Sequence, residues 1–244
     1  MRTHIFLTAS LFFLLLTSCS KEELGNDQNS DQPTVTDVSE FLNQNNNIPD
    51  FDQLVNNNYK RALQLLNDNK QNKSSSCSSE LEFETSDIIE LGPDNFMFLG
   101  TILINKGSDE VFETLIDFDN MPNWSTTLQG ITGDLENGGP IIVEAAPVPG
   151  FGTENFLLPF ENSFFQEGVR YGFYGSVPIS PGINVFSDTL VIPLSPCHSL
   201  LVITEVLEGQ DPLTTVEAGI NIAASFEFGK NAFKTQLKAE VESN

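Results

Sequence analysis

The chain has 244 residues, and 34 acidic residues against 11 lysines and arginines give it a formal net charge of −23. A charge this negative argues against binding to nucleic acids or to anionic membrane surfaces, because their phosphates would be repelled. With only two histidines and three cysteines, histidine-rich metal sites and most Ser-His-Asp centres are hard to assemble. The length is enough for one large domain or two small ones.

The N-terminus has the pattern of a secretory signal peptide. Arg2 and His4 precede an apolar run from Ile5 to Leu16, which at about 1.5 Å per residue is too short to cross a hydrocarbon core of about 30 Å. The run leads into Leu16-Thr17-Ser18-Cys19, which resembles the lipobox of bacterial lipoproteins. The resemblance implies that residues 1–18 are a lipoprotein signal peptide and that Cys19 carries acyl chains such as palmitate.

An acylated Cys19 would hold the protein on a membrane, because each buried methylene contributes about 0.8 kcal/mol. The next residues, Ser20–Glu23, are similar to the surface-export signal of lipoproteins in some Gram-negative bacteria. We therefore expect an extracytoplasmic outer membrane lipoprotein, exposed at the cell surface if this signal operates. The alternatives are an ordinary signal peptide with a chance cysteine and a merely charged tether.

A tether and a helical segment follow. Residues 19–37 contain almost nothing to bury, which predicts a disordered tether. Residues 38–73 form an amphipathic helical segment, in which Asp50 and Gln53 have capping-box spacing and the main helix runs to about Asn69. This helix packs on the main domain, serves as a stalk, or binds in a partner's groove. Lys70–Ser79 is Ser-rich and indicates a linker.

The main domain is predicted over residues 81–244. It starts with two strands, Leu81–Leu91 and Asn95–Asn105, and the second has apolar residues on both faces. Ser108 then has the position of a helix N-cap before an apolar stripe. Six strand-like segments follow, with glycine-containing turns between most of them, as in an antiparallel sheet. They are Thr126–Leu135, Pro140–Pro147, Asn155–Phe165, Val169–Val177, Val185–Pro193 and His198–Leu207.

The chain ends in a helix predicted over about Ala224–Glu242. Its apolar side consists of Phe226, Gly229, Phe233, Leu237 and Val241, and its predicted solvent side of Lys230, Lys234 and Lys238. A long helix with an apolar stripe needs a sheet to cover. The order of elements therefore predicts an α+β fold in which a curved antiparallel sheet wraps around the C-terminal helix, preceded by the small N-terminal helical segment.

Four stretches resemble the START-like helix-grip superfamily, also called SRPBCC, which includes polyketide cyclase/dehydrase-like and lipid-transfer proteins. They are Ile102–Asn105, Ser108–Phe112, Leu115–Asp119 and Met121–Trp124, and weaker matches follow in the family's order at Gly138-Gly139, Cys197–Gly209 and Asn231–Glu242. The resemblance covers about residues 95–244 and departs from the family in the N-terminal helical segment, the strand Leu81–Leu91 and the acidic surface. It implies a helix-grip fold with a ligand cavity between the sheet and the C-terminal helix.

The candidate ligand-binding residues are aromatic, although aromatic residues at these spacings are also typical of an ordinary core. They are Trp124, Phe156, Phe164, Tyr171, Phe173, Phe186 and Phe233. A register error of one residue would exchange Phe173 for Tyr174. We expect a monomer that binds a hydrophobic or amphipathic small molecule or lipid without transforming it, with no cofactor and no nucleic acid.

Two other functions stay open. The first is a cyclase/dehydratase-type enzyme that uses His198 or an inward-facing carboxylate, Glu144 or Glu205, as an acid or base. The second is a surface interaction module without a working pocket. No catalytic residue is assigned, because the sequence has neither a Gly-x-Ser-x-Gly elbow nor a P-loop.

The sequence also bears on metal binding and on disulfide formation. Asp117-x-Asp119 begins like a calcium loop but lacks the later glycine and glutamate, so no metal site is predicted. Once Cys19 is acylated, Cys77 and Cys197 are the remaining thiols. In an oxidising compartment they either pair or stay as two separate thiols.

Overall fold

The structure is a computed structural model that describes residues 51–72, 80–92, 95–146, 154–176, 182–209 and 229–243. The predicted signal peptide, the tether, Asp50 and Cys77 lie outside these residues. Within the described helices, none combines the length and the apolar character that a membrane span requires.

The described residues form four helices and nine antiparallel strands. The helices are α1 (Phe51–Asn72), α2 (Ser108–Ile116), α3 (Met121–Trp124) and α4 (residues 229–243). The strands are β1 (Glu84–Gly92), β2 (Asn95–Ile104), β3 (Leu128–Gly133), β4 (Ile141–Ala145), β5 (Phe156–Phe160), β6 (Asn162–Gln166), β7 (Arg170–Ser176), β8 (Ile183–Ser195) and β9 (His198–Gly209). They form a six-stranded sheet in the order β1-β2-β9-β8-β7-β6 and a three-stranded sheet in the order β3-β4-β5. This is the predicted α+β fold, with a curved antiparallel sheet and a C-terminal helix.

The observed elements differ from the predicted ones at several boundaries, and one predicted strand is divided. The helix α1 continues to Asn72 instead of ending near Asn69. The N-cap of α2 is Gly107, not Ser108, and the Glu110 carboxylate accepts a hydrogen bond from the Gly107 N–H at 3.3 Å. The single predicted strand Asn155–Phe165 is two strands, because the chain leaves the small sheet at Glu161 and enters the large one.

Both faces of the large sheet are covered, as the two apolar faces of β2 predict. On the inner face, Ile102 and Ile104 join a core shared with α2, α3, α4 and the small sheet. On the outer face, Leu99 and Leu103 join a second core with the apolar side of α1. The N-terminal helix therefore packs on the main domain rather than standing apart from it.

The prediction that the lysines of α4 face solvent is wrong. Phe233 and Leu237 are buried as expected, but Lys234 is also fully buried. Its Nζ lies 3.0 Å from a carboxylate oxygen of Glu84 and donates a hydrogen bond to the Thr85 carbonyl at 2.7 Å. Lys238 reaches the Leu103 carbonyl at 3.0 Å. The reason is that α4 lies against β1 and β2, so its lysine side meets strand carbonyls and carboxylates instead of water.

Candidate functional site

Strand alternation points one set of side chains of the large sheet towards α4. On β7 these include Tyr171 and Phe173, which belong to the same core as Phe233 of α4. In the strand register Phe173 is opposite Ser187, and Ser187 is opposite Glu205. Polar side chains of β8 and β9 are thus placed within an apolar and aromatic interior, which we call the inner face.

A charged group lies buried on the inner face. Glu205 accepts a hydrogen bond from Ser187 Oγ at 3.0 Å, and the same carboxylate oxygen lies 2.7 Å from Lys230 Nζ. The side chains of Glu205 and Lys230 are 1% and 8% exposed. Ser187, Glu205 and Lys230 are called the inner polar cluster below. Burying two charges costs desolvation free energy, which the attraction between them only partly offsets. The pair is therefore weak evidence that these residues serve stability alone.

Tyr171 adds a neutral hydroxyl beside the cluster. Burial raises the pKa of the Tyr171 phenol, a hydrogen bond with the Thr189 side chain opposes this, and the negative charge of Glu205 raises the pKa further. The phenol therefore stays protonated at physiological pH. It can act as a hydrogen-bond donor or acceptor but not as a phenolate base.

Paired aromatic rings surround these polar groups. Ring centroids lie 5.4 Å apart for Trp124 and Phe233, 4.9 Å for Phe160 and Phe173, and 5.7 Å for Phe118 and Tyr171. The buried indole Nε1–H of Trp124 has no acceptor among the residues that the structure describes. Because a buried donor without an acceptor is costly, this N–H is available to a water molecule or to a ligand oxygen.

The seven predicted ligand-binding aromatics divide between the two faces of the sheet. Trp124, Tyr171, Phe173 and Phe233 are buried in the inner core, and Phe156 is partly buried against it. Phe164 and Phe186 lie on the outer face instead, with ring centroids 6.4 Å apart. Successive side chains of β6 point to opposite faces of the sheet. Phe165 points inward, with its ring 5.8 Å from that of Phe112, so its neighbour Phe164 points outward. These two residues cannot line a cavity between the sheet and α4.

A cavity of about 210 Å³ opens at the edge of the inner core. Its apolar lining includes Phe118, Ile131, Leu135 and Phe165, and Asp134 and Glu136 also line it. None of the seven predicted aromatics lines this cavity. Phe118 separates it from Tyr171, since the two rings meet edge to face.

The other candidate acids and bases lie elsewhere. Glu144 accepts a hydrogen bond from Asn155 Nδ2 at 2.7 Å on the small sheet and is not on the inner face. His198 Nδ1 lies 2.9 Å from Ser195 Oγ at the turn between β8 and β9. On β9, alternation puts His198 on the opposite face from Glu205. Of the three candidates, Glu205 alone meets the condition of facing inward.

The described residues bear on metal binding and on disulfide formation. Across the described parts of the chain, no group of three or more His, Cys, Asp or Glu side chains could hold a metal ion. Cys197 is disulfide-bonded. The other cysteines of the chain, Cys19 and Cys77, lie outside the described residues, so the pairing of Cys77 with Cys197 stays a prediction.

Sequence reasoning missed several residues of the interior. Ser187 and Thr189 are small polar residues in a strand, and such residues give no local sign of which face they occupy. Lys230 was predicted outside because a lysine stripe on a helix is usually solvated. Two observations could have indicated that Lys230 is buried: lysine is scarce in this chain, and strand alternation places Glu205 on the inner face, where it needs a cation.

The sequence matches no protein-family model, and no curated protein is similar to it. Similar solved structures include a START superfamily protein from Mycobacterium smegmatis, with 14% identity, 60% of this chain and 97% of that chain covered, and a TM-score of 0.42. An aromatase/cyclase from a Streptomyces species has 16% identity, coverages of 61% and 94%, and a TM-score of 0.46. Norcoclaurine synthase from Thalictrum flavum, in complex with dopamine and hydroxybenzaldehyde, has 10% identity, coverages of 68% and 98%, and a TM-score of 0.43. Similarity at this level assigns no ligand or reaction to this chain.

Proposed function

We propose that this protein is a lipid-anchored, extracytoplasmic START-like protein that binds a hydrophobic or amphipathic small molecule between the large sheet and α4. The observation that carries the proposal is the inner polar cluster within an aromatic interior. Small-molecule sites typically combine an apolar lining with a few placed polar groups. A core built only for stability gains little from a buried charged pair.

The chemistry of the inner face favours an amphipathic ligand. Trp124, Phe173 and Phe233 offer apolar surface to the ligand's body. The hydroxyls of Tyr171 and Ser187 and the unsatisfied indole N–H of Trp124 suit a hydroxyl or carbonyl oxygen at one end of the ligand. Entry beside Phe118, through the cavity of about 210 Å³, would bring a ligand to Tyr171 first.

Native mass spectrometry of protein purified without detergent tests the binding. We expect a retained ligand that appears as added mass and is released on denaturation. Recovery of no ligand, together with no thermal shift across a panel of fatty acids, sterols and aromatic polyketides, would remove the proposed function.

A matched pair of variants localises the site. Phe173 faces the inner core and Phe186 the outer core of the same sheet. F173L should weaken ligand binding, whereas F186L should leave it nearly unchanged at a similar loss of stability. Quenching of the fluorescence of Trp124, the single tryptophan of the chain, reports binding directly. Equal affinity losses in the two variants would place the ligand elsewhere.

Membrane anchoring through Cys19 is supported by the lipobox-like sequence alone. We expect the full chain to fractionate with membranes in a Gram-negative host and C19S to move to the soluble fraction. Mass analysis of the N-terminal peptide should show acyl chains on Cys19. An unmodified Cys19 in the mature protein would exclude the lipoprotein assignment.

The alternative of a cyclase/dehydratase-type enzyme is favoured by one observation, the inward Glu205 next to Tyr171. In this alternative Glu205 would move a proton on a ligand held against the inner face. Incubation of the retained ligand should then change its mass or its chromatographic retention, and E205Q should abolish that change. An unaltered ligand recovered from the native protein excludes this alternative.

The surface interaction module has a different supporting observation. Leu157 and Ile142 on the small sheet are 63% and 41% exposed, although both are large and apolar. In this alternative the inner face retains no ligand and the exposed surface binds a protein partner. Substitution of both residues by threonine should then abolish co-purification of that partner. Unchanged recovery would exclude this surface as the partner site.

A further inference from the structure

In the described part of this acidic chain, most positive charges are matched by carboxylates. Among the lysines and arginines whose side chains the structure describes, five form ion pairs: Lys106, Arg170, Lys230, Lys234 and Lys238. The other two, Lys60 and Arg61, have no carboxylate partner among the residues that the structure describes. With acidic residues in threefold excess, two adjacent unpaired cations are unexpected.

Lys60 and Arg61 line the same cavity, of about 700 Å³, between α1 and β1. We call it the α1–β1 groove. Its size lies within the range of sites for small organic ligands, about 300–1,000 Å³. It is distinct from the inner face, because α1 packs on the outer face of the large sheet.

The groove has a fixed polar floor. Asn58 is buried, and its Nδ2 donates hydrogen bonds to the side-chain oxygens of Thr85 and Thr101, each at 3.1 Å. These bonds tie α1 to β1 and β2, so the two walls keep their spacing. The guanidinium of Arg61 lies 5.4 Å from the ring centre of Phe83, which leaves its planar N–H edges to bind an anion.

The remaining lining consists mainly of amides and hydroxyls. Asn57 and Gln64 follow the spacing of one side of α1 with Arg61, and the Thr85 hydroxyl, which accepts a hydrogen bond from Asn58, lies across the groove on β1. Such groups donate and accept hydrogen bonds with hydroxyls. Asp87 also lines the groove and would oppose an anion, so the site is not a general anion trap.

We propose that the α1–β1 groove binds a small polyhydroxylated carboxylate, of which sugar acids are the simplest class. Arg61 and Lys60 hold the carboxylate, and the amide and hydroxyl side chains hold the ligand's hydroxyls. Long-range repulsion by the acidic protein disfavours simple anions, so both kinds of contact are needed.

Isothermal titration calorimetry of the full chain with sodium glucuronate tests this site. We expect saturable binding of one glucuronate, with glucose and acetate at least about tenfold weaker, since each supplies half of the contacts. R61Q should weaken glucuronate binding by about tenfold and K60Q by about threefold. D87N should strengthen binding, because it removes the opposing charge.

The matched control is K106Q, which removes one positive charge outside the groove lining and should leave glucuronate binding unchanged. Lys60 makes no ion pair with a described residue, so K60Q keeps the test valid even if R61Q fails to fold. Absence of saturable binding, acetate binding as tight as glucuronate binding, or equal loss of affinity in K106Q would each overturn the proposal.

Discussion

Lys230 of α4 and Glu205 of β9 form an ion pair of 2.7 Å in which both side chains are almost fully buried. The pair connects the C-terminal helix to the middle of the large sheet, and Ser187 of β8 donates to the same carboxylate. It therefore ties the helix to the inner face at the point where we propose that a ligand binds.

The first prediction concerns this pair. K230M leaves the Glu205 carboxylate buried without its cation, so the free energy of unfolding should fall by about 3–5 kcal/mol. The double variant E205L/K230M should recover most of that loss, since no uncompensated charge remains. Denaturant unfolding monitored by circular dichroism measures both variants. In the more exposed pair of Lys106 and Glu110, K106Q should cost less than about 1 kcal/mol.

The second prediction concerns acid stability. Partial burial raises the pKa of Glu242, but hydrogen bonds from Lys238 and Asn105 outweigh this effect and lower that pKa below its ordinary 4.5. Since the folded-state pKa is lowered, Glu242 stabilises the protein above pH 4.5, and this contribution is lost as the pH falls through the folded-state pKa. E242Q should lower the thermal midpoint at pH 7 and flatten its decline below pH 4.5. A parallel decline in wild type and variant would contradict this assignment.

The third prediction concerns Tyr171. Burial raises the pKa of its phenol above the ordinary 10.0. Below pH 10 the phenol is protonated in both the folded and the unfolded chain, so the protein keeps the stability that the buried phenol contributes. Above pH 10 the unfolded chain releases the phenol proton first, so the native state loses stability as the pH rises. In a titration of absorbance at 295 nm, Y171F should lack the component that ionises only on unfolding. Early ionisation of Tyr171 in the folded protein would show that it is exposed.

The fourth prediction concerns Gly172. A Cβ atom there would lie 2.0 Å from the Ser187 carbonyl oxygen and 2.1 Å from the Phe164 ring. The Ser187 backbone cannot move far enough to relieve so short a contact, so G172A should lower the free energy of unfolding by about 3 kcal/mol or prevent folding. Gly168 has a φ of +71° and open space around it, so G168N should be tolerated. Thermal unfolding of the two variants compares the effects.

The fifth prediction concerns the disulfide of Cys197. We expect a proteolytic digest without reduction to contain one linked peptide that joins Cys77 and Cys197. A bridge between them closes a loop of about 120 residues, which corresponds to about 4–5 kcal/mol in the loop-entropy model. C77S should therefore lower the thermal midpoint as much as reduction does. A linked peptide that contains Cys19 instead would contradict both this pairing and the acylation of Cys19.

Much of the element order could be predicted from local patterns. The apolar positions of α1, the two apolar faces of β2, and the turns at Gly138 and Gly168, both with positive φ, follow from helix and strand periodicity and from turn chemistry. These signals span only a few neighbouring residues, so one sequence carries them. The aromatics Trp124, Phe173 and Phe233 are buried in the inner core, and their part in ligand binding stays a prediction.

What could not be predicted depends on long-range register. The chain changes sheets at Glu161, which sends Phe165 inward and Phe164 outward. The lysine side of α4 meets the sheet because of where the helix crosses it. Neither fact leaves a trace within a short window of sequence.

By itself, the amino-acid sequence determined the acidic charge and most of the strand and helix order, and it predicts export and acylation at the N-terminus, because each is a local or compositional property. Only the tertiary structure decided that Glu205 faces Lys230, that α1 covers the outer face, and that Lys60 and Arg61 share one groove. The physical reason is that residues far apart in the chain acquire partners only when strand register and helix packing set the distances between them.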